Sequence, residues 1–260
     1  MVKRLAALLI WGAAALFLTE SSNEQAQVMR YKNAVQPACR VIRFETEPFT
    51  VCRVDPARHD LRLILSGDDG KPLRSFAALT RQLGPDARRV AFAMNAGMYD
   101  GQGFPIGLYV ARGVEHKKLN RAAGPGNFHM KPNGVFWVDG AGPHVTPTDV
   151  FAAVPHPGLI WATQSGPMLV MAGRLHPQIT PDGASHYVRN AVGVTASGEA
   201  VFVISDTRVS FGKIARLLRD QLGCPDALFL DGYVSSLWDG ATGRNDQDLN
   251  IGPMVVVLEK

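Results

Sequence analysis

A carboxylate and two hydroxyl groups follow a short apolar run near the carboxyl-terminal end of the chain. Residues Leu228 to Leu230 have the apolar character of a buried strand, and Asp231 comes directly after them. Gly232 permits a sharp turn there, and Ser235 and Ser236 follow on the same loop. Binding and catalytic residues collect on loops at strand ends, so this stretch is the first candidate site. An ordinary β-turn, in which Asp and Gly are favoured for local reasons, is the alternative.

Polar side chains recur where other predicted strands begin or end. Asn and Gln offer neutral donors and acceptors suited to sugar hydroxyls. Arg189 offers a planar guanidinium that matches a phosphate or carboxylate in a bidentate arrangement. Asp206 and Asp231 are the candidates for an acid, a base or a nucleophile. The full set is Asn95, Asn133, Gln164, Ser165, Arg189, Asn190, Ser205, Asp206 and Asp231.

Each of these residues also has a structural interpretation, which the sequence leaves open. Asn95 and Asn133 stand near glycines and could hold left-handed turns. Arg189 could be an ion-pair partner within the fold, and Asp206 could cap a turn. Loop positions in contact with water are the simpler interpretation for three others: His129, Lys131 and His186.

Several widespread catalytic motifs are missing from the sequence. It contains no Gly-x-Ser-x-Gly elbow, no P-loop, no Gly-x-Gly-x-x-Gly opening a βαβ unit and no His-Glu-x-x-His zinc helix. These absences argue against α/β-hydrolase, nucleotide-dependent and zinc-protease chemistry of the usual kinds.

The elements that must position these residues are mostly short strands. Many short apolar runs are separated by Gly- and Pro-rich turns, and two amphipathic segments predict helices. Ser75 can cap a helix through Leu83 with Gly84 after it, and Ser210 can cap a longer one from Phe211 to Leu222. The pattern predicts an α+β fold: a single domain with a largely antiparallel or mixed β-sheet and two or three helices.

Composition is that of a globular protein. The chain has 260 residues, of which 46% are hydrophobic and 19% charged, and its formal net charge is +4. Its basic residues are dispersed and lack the aromatic interleaving of a nucleic-acid surface, so a nucleic-acid partner is not expected. No protein partner is predicted either.

The first 26 residues have the character of a targeting segment. Lys3 and Arg4 precede an apolar run from Leu5 to Leu18, and polar residues follow. We expect residues 1–26 to be a signal peptide or an N-terminal membrane anchor, and residues 27–260 to form the functional domain. The protein is then exported, to the periplasm or the cell envelope.

Export gives meaning to the three cysteines. Cys39 and Cys52 flank two short extended segments that could pair in an antiparallel hairpin and bring them within disulfide reach. Cys224 would then be left over, buried beside a helix end. Three unpaired thiols are the alternative, and the cysteine spacing fits no metal site.

Five spaced segments together carry a family resemblance: Asn95-Ala96-Gly97-Met98-Tyr99, Asn133-Gly134-Val135, Ser165-Gly166-Pro167-Met168-Leu169, Arg189-Asn190-Ala191-Val192-Gly193 and Leu230-Asp231-Gly232-Tyr233-Val234-Ser235-Ser236. Taken in this order, they resemble the phosphodiester glycosidase family, and an exported bacterial branch of it more than the lysosomal branch. No single segment is specific, but the ordered set covers most of the chain after the N-terminal segment.

The resemblance implies hydrolysis of a sugar 1-phosphodiester. Asp231 is then the nucleophile or general base, with Asp206 as the second carboxylate, and Arg189 holds the phosphate with help from His129 or Lys131. The scheme requires no cofactor and is compatible with a divalent metal bound by the carboxylates. The rest of the expected substrate-binding set is Asn95, Tyr99, Asn133, Gln164, Ser165, Asn190, Ser235 and Ser236.

Two departures from the family pattern affect the expected substrate. Ala96 replaces one glycine, and Tyr233 and Val234 replace two glycines beside Asp231. Larger side chains there should narrow or reshape the pocket, so the substrate need not be that of the lysosomal branch.

We therefore predict an exported hydrolase that acts on a glycosyl phosphodiester in the cell envelope, with a glycan or sugar phosphate as its partner. The rival prediction is a non-catalytic envelope module that binds a glycan or an anionic polymer through the same cleft. A phosphodiesterase that cleaves P–O rather than C–O would use the same residue types.

Overall fold

A computed structural model describes residues 37–246 and 250–260, and the predicted signal peptide or anchor lies outside these residues. The described part contains sixteen strands. In chain order they are β1 (Cys39–Phe44), β2 (Glu47–Val54), β3 (His59–Ile64), β4 (Val90–Asn95), β5 (Tyr109–Ala111), β6 (Val114–Lys117), β7 (Gly134–Asp139), β8 (Gly142–Pro147), β9 (Trp161–Ser165), β10 (Met168–Met171), β11 (Arg174–Leu175), β12 (Asn190–Val194), β13 (Ala200–Ser205), β14 (Asp226–Asp231), β15 (Leu237–Asp239) and β16 (Met254–Glu259).

The strands divide among three sheets. A seven-stranded sheet has the order β1-β2-β13-β12-β14-β10-β11, a four-stranded sheet the order β15-β4-β16-β3, and a five-stranded sheet the order β6-β5-β9-β7-β8. Every pairing between named strands is antiparallel. The antiparallel character predicted from the sequence is thus confirmed, whereas the division into three sheets was not foreseen.

Three α-helices accompany the sheets in the described residues: α1 (Phe76–Leu83), α2 (Thr148–Phe151) and α3 (Phe211–Arg216). The predicted caps of α1 and α3 are confirmed, since Ser75 accepts a hydrogen bond from the N–H of Ala78 and Ser210 from that of Lys213. Beyond Arg216 the predicted helix continues as a π-helical turn, Leu217–Gln221. Among the described residues, no helix combines the length and apolar character needed to span a membrane.

The core lies where the three sheets meet. The ring of Phe202 on β13 lies 5.7 Å from that of Phe92 on β4 and 5.4 Å from that of Phe136 on β7. The other face of the seven-stranded sheet is covered by α3, through residues such as Ile214. Strands with both faces covered need apolar side chains on both, which explains why β4, β13 and β14 lack a polar alternation.

The β1–β2 hairpin carries a disulfide bond. Cys39 and Cys52 are paired in register, and their sulfur atoms are 2.03 Å apart. Cys224 is a free, buried cysteine. The structure therefore pairs the cysteines as the hairpin interpretation of the sequence predicted.

Candidate active site

A cavity of about 690 Å³ lies at the end of β14. Three chain segments supply most of its wall: the loop after β4, the segment that leads into β12 and the loop after β14. Asn190 and Asp231 are paired across β12 and β14, which brings the second and third segments together. Because β4 belongs to the four-stranded sheet, the cavity draws on two sheets.

Asp231 is the last residue of β14 and lines the cavity with only 8% of its surface exposed. Its Oδ1 atom accepts hydrogen bonds from the N–H groups of Gly232, at 2.6 Å, and Tyr233, at 2.9 Å. Burial raises the pKa of Asp231, and these backbone donors, with that of Val234, oppose the rise. The protonated carboxyl therefore persists to higher pH than in an exposed aspartate.

Gly232 allows the loop to approach its neighbours closely. A Cβ atom at this position would lie 2.8 Å from the ring of Phe229 and 3.2 Å from Nη1 of Arg189. Any larger residue would push the loop away from both side chains. The glycine after Asp231 is thus favoured by its close packing against Phe229 and Arg189.

Arg189 lines the same cavity and is almost fully buried, with 1% of its surface exposed. Its Nε donates to the carbonyl oxygen of Val209, and its Nη2 donates to the carbonyl and hydroxyl oxygens of Ser185. Its guanidinium carbon lies 3.7 Å from the centre of the Phe211 ring. These contacts fix the orientation of the guanidinium group.

No carboxylate in the described residues forms an ion pair with Arg189. Burial lowers its pKa to about 10, while the neighbouring Tyr187 opposes that shift. The side chain thus remains charged at neutral pH. A buried cation without a counter-ion is costly, and an anion bound in the cavity would offset that cost. This arrangement favours a phosphate or carboxylate group as ligand.

Tyr99 contributes a neutral phenol to the cavity wall. Burial and the nearby charge of Asp231 raise its pKa to about 12, against a smaller opposite effect of Arg74. Its hydroxyl donates a hydrogen bond to the carbonyl oxygen of Asn250 at 2.5 Å. Tyr99 is therefore held in place close to Asp231 and stays protonated.

Two exposed aromatic side chains border the cavity. Tyr187 is 45% exposed and Tyr233 is 79% exposed. Both present ring surface to solvent at the cavity wall. Such rings suit the apolar faces of sugar rings, and Tyr233 adds bulk beside Asp231, as the sequence suggested.

The wall also includes residues that the sequence patterns do not predict as site residues. Asp100 stands next to Tyr99, Asn127 comes from a separate loop, and Ser185 and Tyr187 precede Arg189. Spacing offered a signal for two of them. Positions 185, 187 and 189 alternate, so in an extended segment their side chains point to one side.

Four of the predicted substrate-binding residues form a hydrogen-bond network that does not line the cavity. Asn190 Nδ2 donates to the carbonyl oxygen of Asn95 at 2.7 Å and to its Oδ1 at 3.1 Å. The N–H of Ser236 donates to the same Oδ1, and Ser235 Oγ lies 3.0 Å from the carbonyl oxygen of Asp231. This network joins the ends of β4, β12 and β14, and so positions Asp231 through the backbone.

Three more predicted residues are also engaged inside the protein, away from the cavity lining. Gln164 makes four hydrogen bonds, two of them with the backbone of Asn120. Ser165 donates to the carbonyl oxygen of Leu230, and Asn133 to that of Phe128. Their amide and hydroxyl groups hold strands and loops together.

The two basic residues expected to assist at the phosphate are not brought to the cavity. His129 Nδ1 lies 3.1 Å from the carbonyl oxygen of Ala122, and Lys131 Nζ donates to that of Arg121 at 2.8 Å. Neither residue is part of the cavity lining. Arg189 is the cationic side chain that lines it.

Asp206 and Asp231 do not share the cavity. Asp206 accepts hydrogen bonds from Thr50 and, at 2.5 Å, from Arg244. The alternation of side chains at the end of β13 explains the placement, because Ser205 turns toward the site and accepts a hydrogen bond from the N–H of Arg189. Its neighbour Asp206 consequently points elsewhere, and the structure gives it an ion-pair role.

Within residues 37–246 and 250–260, no three His, Cys, Asp or Glu side chains are grouped closely enough to hold a metal ion. The polar side chains that line the cavity offer carboxylates, a guanidinium, phenols, a hydroxyl and the amide of Asn127. Together they could bind an anion and move a proton.

Comparison with known proteins identifies the family of this chain. The chain belongs to the phosphodiester glycosidase family, whose sequence profile matches residues 88–257. That range includes every residue of the cavity wall, and it includes the strands from β4 to β15 in full. The family match therefore covers the whole candidate site.

The chain resembles a bacterial protein in sequence and several solved structures in fold. The chain is 34% identical over 185 residues to the uncharacterized protein YigE of Escherichia coli K12, covering 71% of this chain and 72% of YigE. The catalytic domain of zebrafish N-acetylglucosamine-1-phosphodiester alpha-N-acetylglucosaminidase, auto-inhibited by its pro-peptide, shares the fold: the TM-score is 0.58 at 16% identity, over 85% of this chain and 82% of that one. A hypothetical protein from Synechocystis has a TM-score of 0.51 at 16% identity, over 85% and 61%.

Proposed function

We propose that the protein is an exported hydrolase that cleaves a sugar 1-phosphodiester between the anomeric carbon and the bridging oxygen. One observation carries this proposal: Arg189, buried and without a carboxylate partner in the described residues, lies on the wall of a cavity that also holds Asp231. Membership of the phosphodiester glycosidase family supports the choice of reaction.

In this scheme Arg189 binds the phosphate group of the substrate. Its positive charge acts in a poorly solvated region, where an electrostatic interaction is stronger than in water. As the bond to the anomeric carbon breaks, negative charge grows on the bridging oxygen. A fixed positive charge stabilises that transition state more than the ground state.

Asp231 serves as a proton donor in this scheme. The sequence suggested a nucleophile or base, but burial raises the pKa of this carboxyl and keeps it protonated to higher pH. A protonated carboxyl can donate to the departing phosphate oxygen. Water supplies the oxygen that the anomeric carbon gains.

Two features support export. The first 26 residues have the composition of a signal peptide or anchor. The Cys39–Cys52 disulfide suits an oxidising compartment such as the periplasm or the cell envelope. A glycan or sugar phosphate of the envelope is the proposed substrate.

The test is hydrolysis of a panel of sugar 1-phosphodiesters in water enriched in heavy oxygen, with the wild-type protein and the Asp231→Asn variant. Heavy oxygen in the released sugar, with kcat lowered about 10²-fold or more in the variant, is the expected result. Heavy oxygen in the phosphate would identify a phosphodiesterase. Binding without turnover across the panel would favour the non-catalytic glycan-binding module.

A further inference from the structure

A second carboxylate lies on the wall of the cavity. Asp100 follows Tyr99 in the loop after β4 and lines the same cavity as Asp231. It is half-buried, whereas Asp231 is almost fully buried. One cavity therefore contains two carboxyl groups that differ in their contact with water.

The carboxyl groups of Asp100 and Asp231 are both held by hydrogen bonds from backbone N–H groups. Oδ1 of Asp100 accepts hydrogen bonds from the N–H groups of Gln102, at 2.9 Å, and Phe104, at 3.0 Å. Oδ1 of Asp231 accepts them from Gly232 and Tyr233. Backbone donors thus fix the orientation of each carboxyl group, and no side-chain hydrogen bond or ion pair to Asp100 occurs in the described residues.

The chemistry of glycosidic cleavage calls for two carboxyl groups in different protonation states, one on each side of the scissile bond. Asp206 does not fill the second position, because it is bonded to Thr50 and Arg244 outside the cavity. Asp100 is the carboxylate that shares the cavity with Asp231 and retains contact with solvent.

We propose that Asp100 is the general base of the reaction and removes a proton from the attacking water, an inference that rests on the proposed function. The water oxygen forms a bond to the anomeric carbon while its proton passes to Asp100. The bond from that carbon to the bridging oxygen breaks, and its electron pair stays on the phosphate. Asp231 gives its proton to that oxygen, so atoms and charges balance.

The variant Asp100→Asn separates this role from a structural one. Asparagine keeps an Oδ1 acceptor for the N–H groups of Gln102 and Phe104, so the loop can retain its turn. Asp55→Asn is the matched control, because Asp55 also accepts a backbone N–H, that of Ala57 at 2.9 Å. Asp55 follows β2 at the end of the seven-stranded sheet opposite to Asp231.

The experiment measures turnover of a sugar 1-phosphodiester by the wild type and both variants, with and without sodium azide. Azide needs no deprotonation, so it can replace activated water when the base is missing. We expect Asp100→Asn to lose about 10²- to 10⁴-fold in kcat. Azide should raise kcat of Asp100→Asn at least tenfold and yield a glycosyl azide as product. The control variant Asp55→Asn should have the kcat of the wild type.

Failure of the base assignment and failure of the proposed function give different results. Turnover by Asp100→Asn within threefold of the wild type would overturn the base assignment and leave the proposed function standing. A loss of kcat that azide does not restore, with no glycosyl azide formed, would also overturn the base assignment alone. Absence of turnover by the wild type across the panel would overturn the proposed function, and this inference with it.

Discussion

The guanidinium carbon of Arg189 lies 3.7 Å from the centre of the ring of Phe211, the first residue of α3. The stacking joins the cavity to the helix that covers the outer face of the seven-stranded sheet. It also helps to keep a charged group in an interior where no carboxylate of the described residues neutralises it.

Replacing Arg189 by lysine should weaken the handling of anionic substrates while keeping a positive charge. Lysine has no planar guanidinium to lie on Phe211, and its single nitrogen cannot replace both Nε and Nη2, which bond separately to Val209 and Ser185. We expect kcat/KM for a sugar phosphodiester to fall about tenfold or more. Arg219→Lys, at a partly exposed arginine that is bonded to Asp220 and does not line the cavity, is the control and should change little. Equal losses in both variants would argue against a specific role.

The pH dependence of kcat/KM should show the titration of Asp231. Burial raises the pKa of this carboxyl, and the scheme needs its proton. The rate should therefore fall as pH rises through that raised pKa. With Asp231→Asn, residual hydrolysis of a substrate with a good leaving group should lack this descending limb. A limb that persists in the variant would mean that another group donates the proton.

The stability of Asp231→Asn relative to the wild type should increase with pH. A raised pKa in the folded protein means that the folded state binds a proton more tightly than the unfolded state. The resulting stabilisation is complete below the ordinary aspartate pKa and is lost as pH rises through the folded pKa. The variant does not titrate there, so the difference in melting temperature between variant and wild type should change in favour of the variant as pH rises from about 4, the ordinary aspartate pKa, through the raised pKa of Asp231. A constant difference in melting temperature across that range would contradict the raised pKa.

Removing the ring of Tyr233 should change substrate preference with little effect on stability. The side chain is 79% exposed, so its loss leaves no cavity in the core. Aromatic stacking contributes about 0.5–1.5 kcal/mol, and KM for a substrate that reaches the ring should rise roughly 2- to 13-fold in Tyr233→Gly. Tyr233→Phe keeps the ring and should behave like the wild type. An unchanged KM for every substrate would exclude a contact with Tyr233.

Asn190→Asp should impair both stability and turnover. The change removes the two donors that Asn190 presents to oxygen atoms of Asn95 and leaves oxygen facing oxygen. Such a loss costs about 1–3 kcal/mol. Asn133→Asp is the control, because it removes a buried donor to the carbonyl oxygen of Phe128 at a residue that does not line the cavity. It should lower stability, but it should lower kcat less than Asn190→Asp does. Equal effects on kcat would show that the network does not position Asp231.

Local patterns predicted the elements that depend on local forces. The caps at Ser75 and Ser210 and the apolar run that ends at Asp231 follow from short-range rules, and the structure has them. Strands β6 and β8 were missed: all four residues of β6 are exposed, and β8 contains two prolines. Such strands exist because a neighbour pairs with them, and sequence patterns do not show neighbours.

The composition of the site was harder to predict for the same reason. A polar residue at a strand end could face the cavity or turn away, and one position decides which, as Ser205 and Asp206 demonstrate. The sequence predicts Asp231, Arg189 and Tyr99 as site residues, and they line the cavity; it does not predict Asp100 and Tyr187, which line the cavity as well. Only the pairing of distant strands settles these orientations.

The network that joins β4, β12 and β14 has a consequence for folding kinetics. Asn95 is 95 residues from Asn190 and 141 residues from Ser236 along the chain, yet both bond to it. Contacts of such sequence separation form late, because the intervening chain must first lose its conformational freedom. In a refolding experiment, catalytic competence should therefore return after most of the strand signal has recovered.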